Sequence, residues 1–158
     1  MEDVKVFRLK GMIADVNKMP VKEYTRILSA ASGEDVEKIS SLVKNGYRIK
    51  AVKEPQKTLA MIKMREPVGA SLFYLGEALC TECMVELDGV KGFCVIMGDD
   101  FDKALNCAVI DAAINANVKE LDEIFAEIGR LDEAQRRARR KLNGEIMKSR
   151  VNFSTMGG

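Results

Sequence analysis

The 158-residue chain contains no histidine. That absence removes the usual general base, the commonest metal ligand and every Ser-His or Cys-His arrangement. Any chemistry here falls to carboxylates, lysines, tyrosines, thiols or a residue borrowed from a partner. The chain also lacks an apolar run approaching the roughly 20 residues that span a bilayer. Its first residues, Met1-Glu2-Asp3, are acidic, and no basic-then-apolar leader pattern follows. A cytoplasmic location is expected. Charge of one sign is not in excess: 25 Lys and Arg against 24 Asp and Glu leave +1. No whole-molecule field therefore draws the chain to nucleic acid or membrane. Internal repeats, low-complexity stretches and linkers are missing too. What is present is 47% hydrophobic and 31% charged residues, the balance of a globular chain whose length fits one domain.

Periodicity divides the chain into thirds. The first reads as helical. Phe7 to Val16 suits a short helix weakened by Gly11. Pro20 suits a first turn, with Val21, Tyr24, Ile27 and Leu28 at helical spacing. Ser32 is placed to cap a third helix, striped by Val36, Ile39, Leu42 and Val43 and ended by Asn45-Gly46. The middle reads as strands. Tyr47 to Lys53 alternates, Glu54-Pro55-Gln56-Lys57 looks like a turn, and Leu59 to Met64 continues as a second strand. Pro67-Val68-Gly69 breaks it. Ser71 to Tyr74 and Glu77 to Leu87 follow, and Asp88-Gly89 predicts a hairpin to Val90–Met97. The last third is helical again: an alanine-rich core helix from Phe101 to Asn117, a stripe from Val118 to Ile128, a break or kink at Gly129, and a final helix toward Lys148. The expected fold is α+β, with an antiparallel four-stranded sheet packed by helices, a helical N-terminal third and long C-terminal helices. A single domain over 1–158 is expected, with 149–158 as a partner-docking tail. That tail carries Val151, Phe153 and Met156, which gain nothing from staying solvated.

Each candidate site has a plainer reading beside it. Cys80-Thr81-Glu82-Cys83 is a C-x-x-C, but it falls in a strand, where residues three apart point to opposite faces. No second C-x-x-C or His pair completes a zinc pattern. Cys94 and Cys107 lie in apolar segments and read as packing residues. Gly98-Asp99-Asp100 could hold an anion or metal, yet Asp99 or Asp100 as a helix cap is the better reading. Asp111 sits in the most apolar helix and must be paired, protonated or at its edge. Glu77 follows Gly76, where a bulge would re-aim it, and it shares a strand face with Thr81 if the strand is regular. Such a Glu suits a partner's Arg, a substrate hydroxyl or plain exposure. The basic run Arg136 to Lys141 follows Asp132 and Glu133 at ion-pair spacing and has no interleaved aromatics, so it reads as a solvated or partner-facing surface.

These segments together resemble a known family. The residues are Phe73-x-Leu75-Gly76-Glu77-x-Leu79-x-Thr81-Glu82, then Gly92, Gly98-Asp99, Ala104, Ala108-Val109-Ile110-Asp111-Ala112, and Arg150-Val151-x-Phe153-x-Thr155-Met156. The pattern is similar to that of the G subunit of the carbon–phosphorus lyase core complex (PhnG) and covers most of the chain. Cys80 and Cys83 stand outside it, and the chain stops soon after Met156, which suggests a shorter tail contact. The resemblance implies an accessory subunit of a transferase assembly in phosphonate catabolism. That assembly displaces adenine from ATP with an alkylphosphonate, giving ribose 1-phosphonate 5-triphosphate. The implied partners are chiefly the I subunit, then H and J, with self-association a further option. Neither nucleic acid nor membrane is an expected partner. No cofactor or metal is expected in this chain; an iron–sulfur and S-adenosylmethionine enzyme elsewhere in the assembly breaks the carbon–phosphorus bond. The isolated chain is expected to be non-catalytic, with no catalytic residue assigned. Arg150, Val151, Phe153, Thr155 and Met156 are the expected partner contacts, and Glu77, Thr81, Asp99 and Asp111 the other candidates. Two rivals stand beside this: a self-sufficient thiol or carboxylate enzyme using Cys80, Cys83, Glu77 or Asp111, and a homodimeric adaptor with no phosphonate role.

Overall fold

Pro20, with φ −58°, leads into helix α1, Val21–Ala30, which buries Tyr24, Ile27 and Leu28. The Ser32 hydroxyl accepts the Asp35 N–H at 3.1 Å and so caps α2, Gly33–Lys44. The computed structural model describes residues 19–149. The expected helix over Phe7–Val16 lies outside them, as do Arg150, Val151, Phe153, Thr155 and Met156.

Strands β1 (Ile49–Arg65), β2 (Leu72–Leu87) and β3 (Val90–Met97) form an antiparallel meander in the order β1-β2-β3. Among the described residues the sheet has three strands where four were expected. The expected turn at Glu54–Lys57 is part of β1. Register shifts between Ala51 and Lys53, and between Lys53 and Gln56, absorb one extra residue each as bulges. Pro55 falls in the second bulge of an edge strand, where its missing N–H interrupts no ladder bond. Ser71–Tyr74 and Glu77–Leu87 likewise merge into β2, with Leu75 the extra residue opposite Ile62 and Lys63.

Asp100 accepts the Lys103 N–H at 3.0 Å and caps α3, Phe101–Ala116. Asn117, at φ 54°, closes it in the left-handed conformation. The next helix, α4, runs unbroken from Leu121 to Lys148, so Gly129 neither breaks nor ends it. The core lies between the sheet and the helices. Cys83, Val85, Leu87, Cys94 and Ile96 meet the small face of α3, while Val36, Ile39, Ile124 and Ile128 close the cluster from α2 and α4. Gly92 decides how close α3 comes. A Cβ there would collide with the backbone of Ala108 and Ala112, so only glycine lets the helix rest on β3. Among the described residues, no helix is long and apolar enough to cross a membrane.

Candidate functional site on the hairpin arm

The β2–β3 ladder stops at Cys80 opposite Met97, whereas β1 and β2 stay paired as far as Arg65 opposite Leu72. The excess is a two-stranded arm. All residues from 61 to 65 and from 71 to 77 are exposed. Cross-strand pairing sets Leu59, Leu79 and Met61 on one face with Glu77, and Ile62, Met64 and Phe73 on the other. Lys63 stands over the Tyr74 ring, 5.8 Å from its centroid. The turn at the tip is braced: the Glu66 carboxylate accepts the Val68 and Gly69 N–H groups at 3.1 and 2.6 Å, and Arg65 donates to the Ala70 carbonyl at 2.6 Å. The arm thus displays apolar side chains on both faces from an ordered frame. Surfaces of this kind mark sites of association.

The arm's root is fixed by polar groups. Thr81 is fully buried and donates to the Gly98 carbonyl at 2.8 Å, while the Gly98 N–H returns to the Leu79 carbonyl at 2.9 Å. Glu82 accepts from Lys53 at 2.6 Å and Gln56 at 2.9 Å across the Pro55 bulge. The Lys53 hydrogen bond holds its carboxyl below the usual range. Asp99 pairs with Lys57 at 3.3 Å on the surface, and Asp100, not Asp99, is the cap. Glu77 shares the face of Thr81, since pairing from Gly76 to Glu82 is regular. It remains exposed in the arm, however, while Thr81 is enclosed.

Asp111 lies behind the edge of β3. Its carboxylate accepts the Tyr24 hydroxyl at 2.6 Å, the Phe93 N–H at 2.9 Å and the Asn115 amide at 3.2 Å. One side chain therefore joins α1, α3 and the free edge of β3. Burial, and then the hydrogen bond to this carboxylate, push the Tyr24 hydroxyl well above the ordinary tyrosine range. A cavity of about 350 Å³ opens beside the cluster, lined by Val21, Leu28, Phe93, Ile96 and the Cys94 and Cys107 thiols. All four cysteines are reduced and buried. Cys83 faces the core and Cys80 the opposite side. A hydrogen bond to Cys107, together with burial, raises the Cys94 thiol, and burial raises Cys83 to about 11. Thiols so shifted stay protonated and unreactive near neutrality.

A family model described as phosphonate metabolism protein PhnG matches residues 20–158. The chain belongs to the PhnG family. Membership gives it a role in phosphonate metabolism. No curated protein matches the chain. Two of the segments on which the sequence resemblance was drawn now have physical meanings. Phe73–Glu82 is one strand of the projecting arm together with its anchor. Gly92 and the run from Ala108 to Ala112 form the close helix–strand contact that lets Asp111 reach the Phe93 N–H. The structure does not bring Glu77, Thr81, Asp99 and Asp111 into one site. Sequence reasoning missed Tyr24, which reads there as one member of an apolar stripe. Its hydroxyl was the available signal, because a buried tyrosine needs a polar partner. Ser40 and Asn106, a buried pair joined at 2.9 Å, went unnoticed for the same reason.

Proposed function

We propose that the chain is an accessory subunit of a carbon–phosphorus lyase assembly. In this reading it supports transfer of an alkylphosphonate to the ribose of ATP with release of adenine, and its principal partner is the I subunit. The carrying observation is the arm: apolar on both faces, braced at its tip, and built from the Phe73–Glu82 stretch. Docking removes Phe73, Leu75 and Leu79 from water, and each such side chain contributes about 1.5–3 kcal/mol before ordering costs. Glu77, set among them, serves as a charged anchor for an arginine of the partner. The tail acts beside the arm, with Val151, Phe153 and Met156 in an apolar groove of the I subunit and Arg150 as its charged contact.

Two measurements test this. Leu75→Glu with Phe73→Glu should abolish co-purification with the I subunit while the thermal midpoint of the free chain holds. Truncation after Lys148 should release the partner in the same assay. Conversion of ATP to adenine should need the assembly and be absent from the isolated chain. Unaided turnover by the chain would overturn the accessory role, and undiminished co-purification of both variants would overturn the docking.

A further inference from the structure

Helix α4 outruns the body it packs on. Ile124 and Ile128 are fully buried, and Gln135 still donates to the Ile27 carbonyl at 2.9 Å. From Arg136 to Lys148 every residue is exposed. Those thirteen residues extend about 20 Å at 1.5 Å per residue. The apolar stripe does not stop where the body does. Ile124, Ile128, Leu131, Gln135, Ala138, Leu142 and Ile146 follow one another at spacings of three and four, which is one continuous helix face. Its buried half packs on the protein's own core. In its free half Leu142 and Ile146 are each 56% exposed.

The charges on the free half are also unbalanced. Arg136, Arg137, Arg139, Arg140, Lys141 and Lys148 stand against Glu145 alone, so six cations less one anion leave +5. Only Arg136 and Arg137 have carboxylate partners among the described residues, Arg136 through Asp132 and Glu23 and Arg137 through Glu133. Arg136 with Arg140, and Arg137 with Lys141, are like charges four apart, which disfavours an isolated helix. A stripe of Leu142 and Ile146 bordered by Arg139 and Lys141 calls for the opposite pattern in whatever covers it.

We propose that residues 136–148 are a docking seam for an amphipathic helix of a partner polypeptide whose apolar stripe is bordered by Asp and Glu. A second copy fits poorly, because it would set two segments of +5 side by side. Nucleic acid fits poorly too: no aromatic follows Phe125 in α4 to stack a base, and Leu142 and Ile146 would stay wet. The proposal rests on the reading of the chain as an assembly subunit and supplies the chemistry of a contact distinct from the arm.

The test places a photo-crosslinking amino acid at Leu142 in one full-length chain and at Leu75 of the arm in another, each co-expressed with the carbon–phosphorus lyase subunits. The Leu142 probe should capture a partner segment with an acid-bordered apolar stripe. Arg139→Glu with Lys141→Glu should cut that yield at least tenfold, leave the Leu75 capture intact and leave the thermal midpoint unmoved. Reversing the acids of the captured segment to lysine should restore it. Capture of a second copy, of a nuclease-sensitive product or of a segment without bordering acids would overturn the proposal. Silence at Leu142 with capture at Leu75 would overturn the seam alone. Silence at both would overturn the subunit reading with it.

Discussion

Asp111 and Gly92 act as a pair. Because Gly92 has no side chain, α3 settles against β3, and the Asp111 carboxylate then reaches the Phe93 N–H and the Tyr24 hydroxyl. Asp111→Ala strips the part-buried Tyr24 hydroxyl of its acceptor, while the exposed Phe93 N–H can turn to water, and should cost about 2 kcal/mol in urea unfolding, within the roughly 1–3 that one unsatisfied buried donor costs. Tyr24→Phe removes one bond only and should cost less. Gly92→Ala forces the helix off the strand and should cost at least about 2 kcal/mol, the middle of the overpacking range. At Asp132 the effect is electrostatic. The Arg26 hydrogen bond, helped by Arg136, holds its carboxyl below the usual range and ties α1 to α4. A carboxylate depressed in the folded state stabilises above its unfolded value, near pH 4, and loses that contribution as pH falls through the folded value. Asp132→Asn should therefore lower the thermal midpoint at pH 6 and flatten its acid decline, as read by melts from about pH 6 to pH 3. The Asp111 problem was legible in the sequence, because a carboxylate among Ala and Ile residues needs partners. Tyr24 as the answer was not, since 87 residues separate the two.

Helices were more legible than strands. The stripes of α1, α2 and α3 and the caps at Ser32 and Asp100 follow local chemistry, and the structure has them within a residue or two. Strand count failed because Pro55 and Gly76 resemble punctuation when read locally. Bulges opposite β2 convert the first into a kink within an edge strand, and the pairing partner, distant in sequence, decides the outcome. Gly129 misled in the same way. Burial of Ile124 and Ile128 before it and packing of Leu131 after it outweigh its weak helix propensity. A Cβ at Gly129 would meet nothing within 4 Å, so Gly129→Ala should raise stability by about 0.8 kcal/mol, visible as a higher denaturant midpoint with unchanged slope. The β1 edge carries Lys50, Lys53, Lys57, Lys63 and Arg65 along its length, the charged dressing that discourages further strand pairing.

At the scale of the whole molecule, the helices among the described residues cover one side of the sheet and leave the other open. Phe93, Val95 and Met97 line that open side at 47%, 40% and 78% exposure. The arm and the free half of α4 add two further uncovered surfaces, which suits the proposed role as a subunit of an assembly. That has a consequence for supply. A ribbon with oily side chains on both faces, guarded only by a few edge cations, is a poor orphan. Made in surplus, the chain should clump or be cleared by proteases, and its steady level should follow that of its partner rather than its own message. Pulse-chase turnover with and without co-expressed I subunit would read this directly, and equal half-lives would show that the molecule keeps well alone.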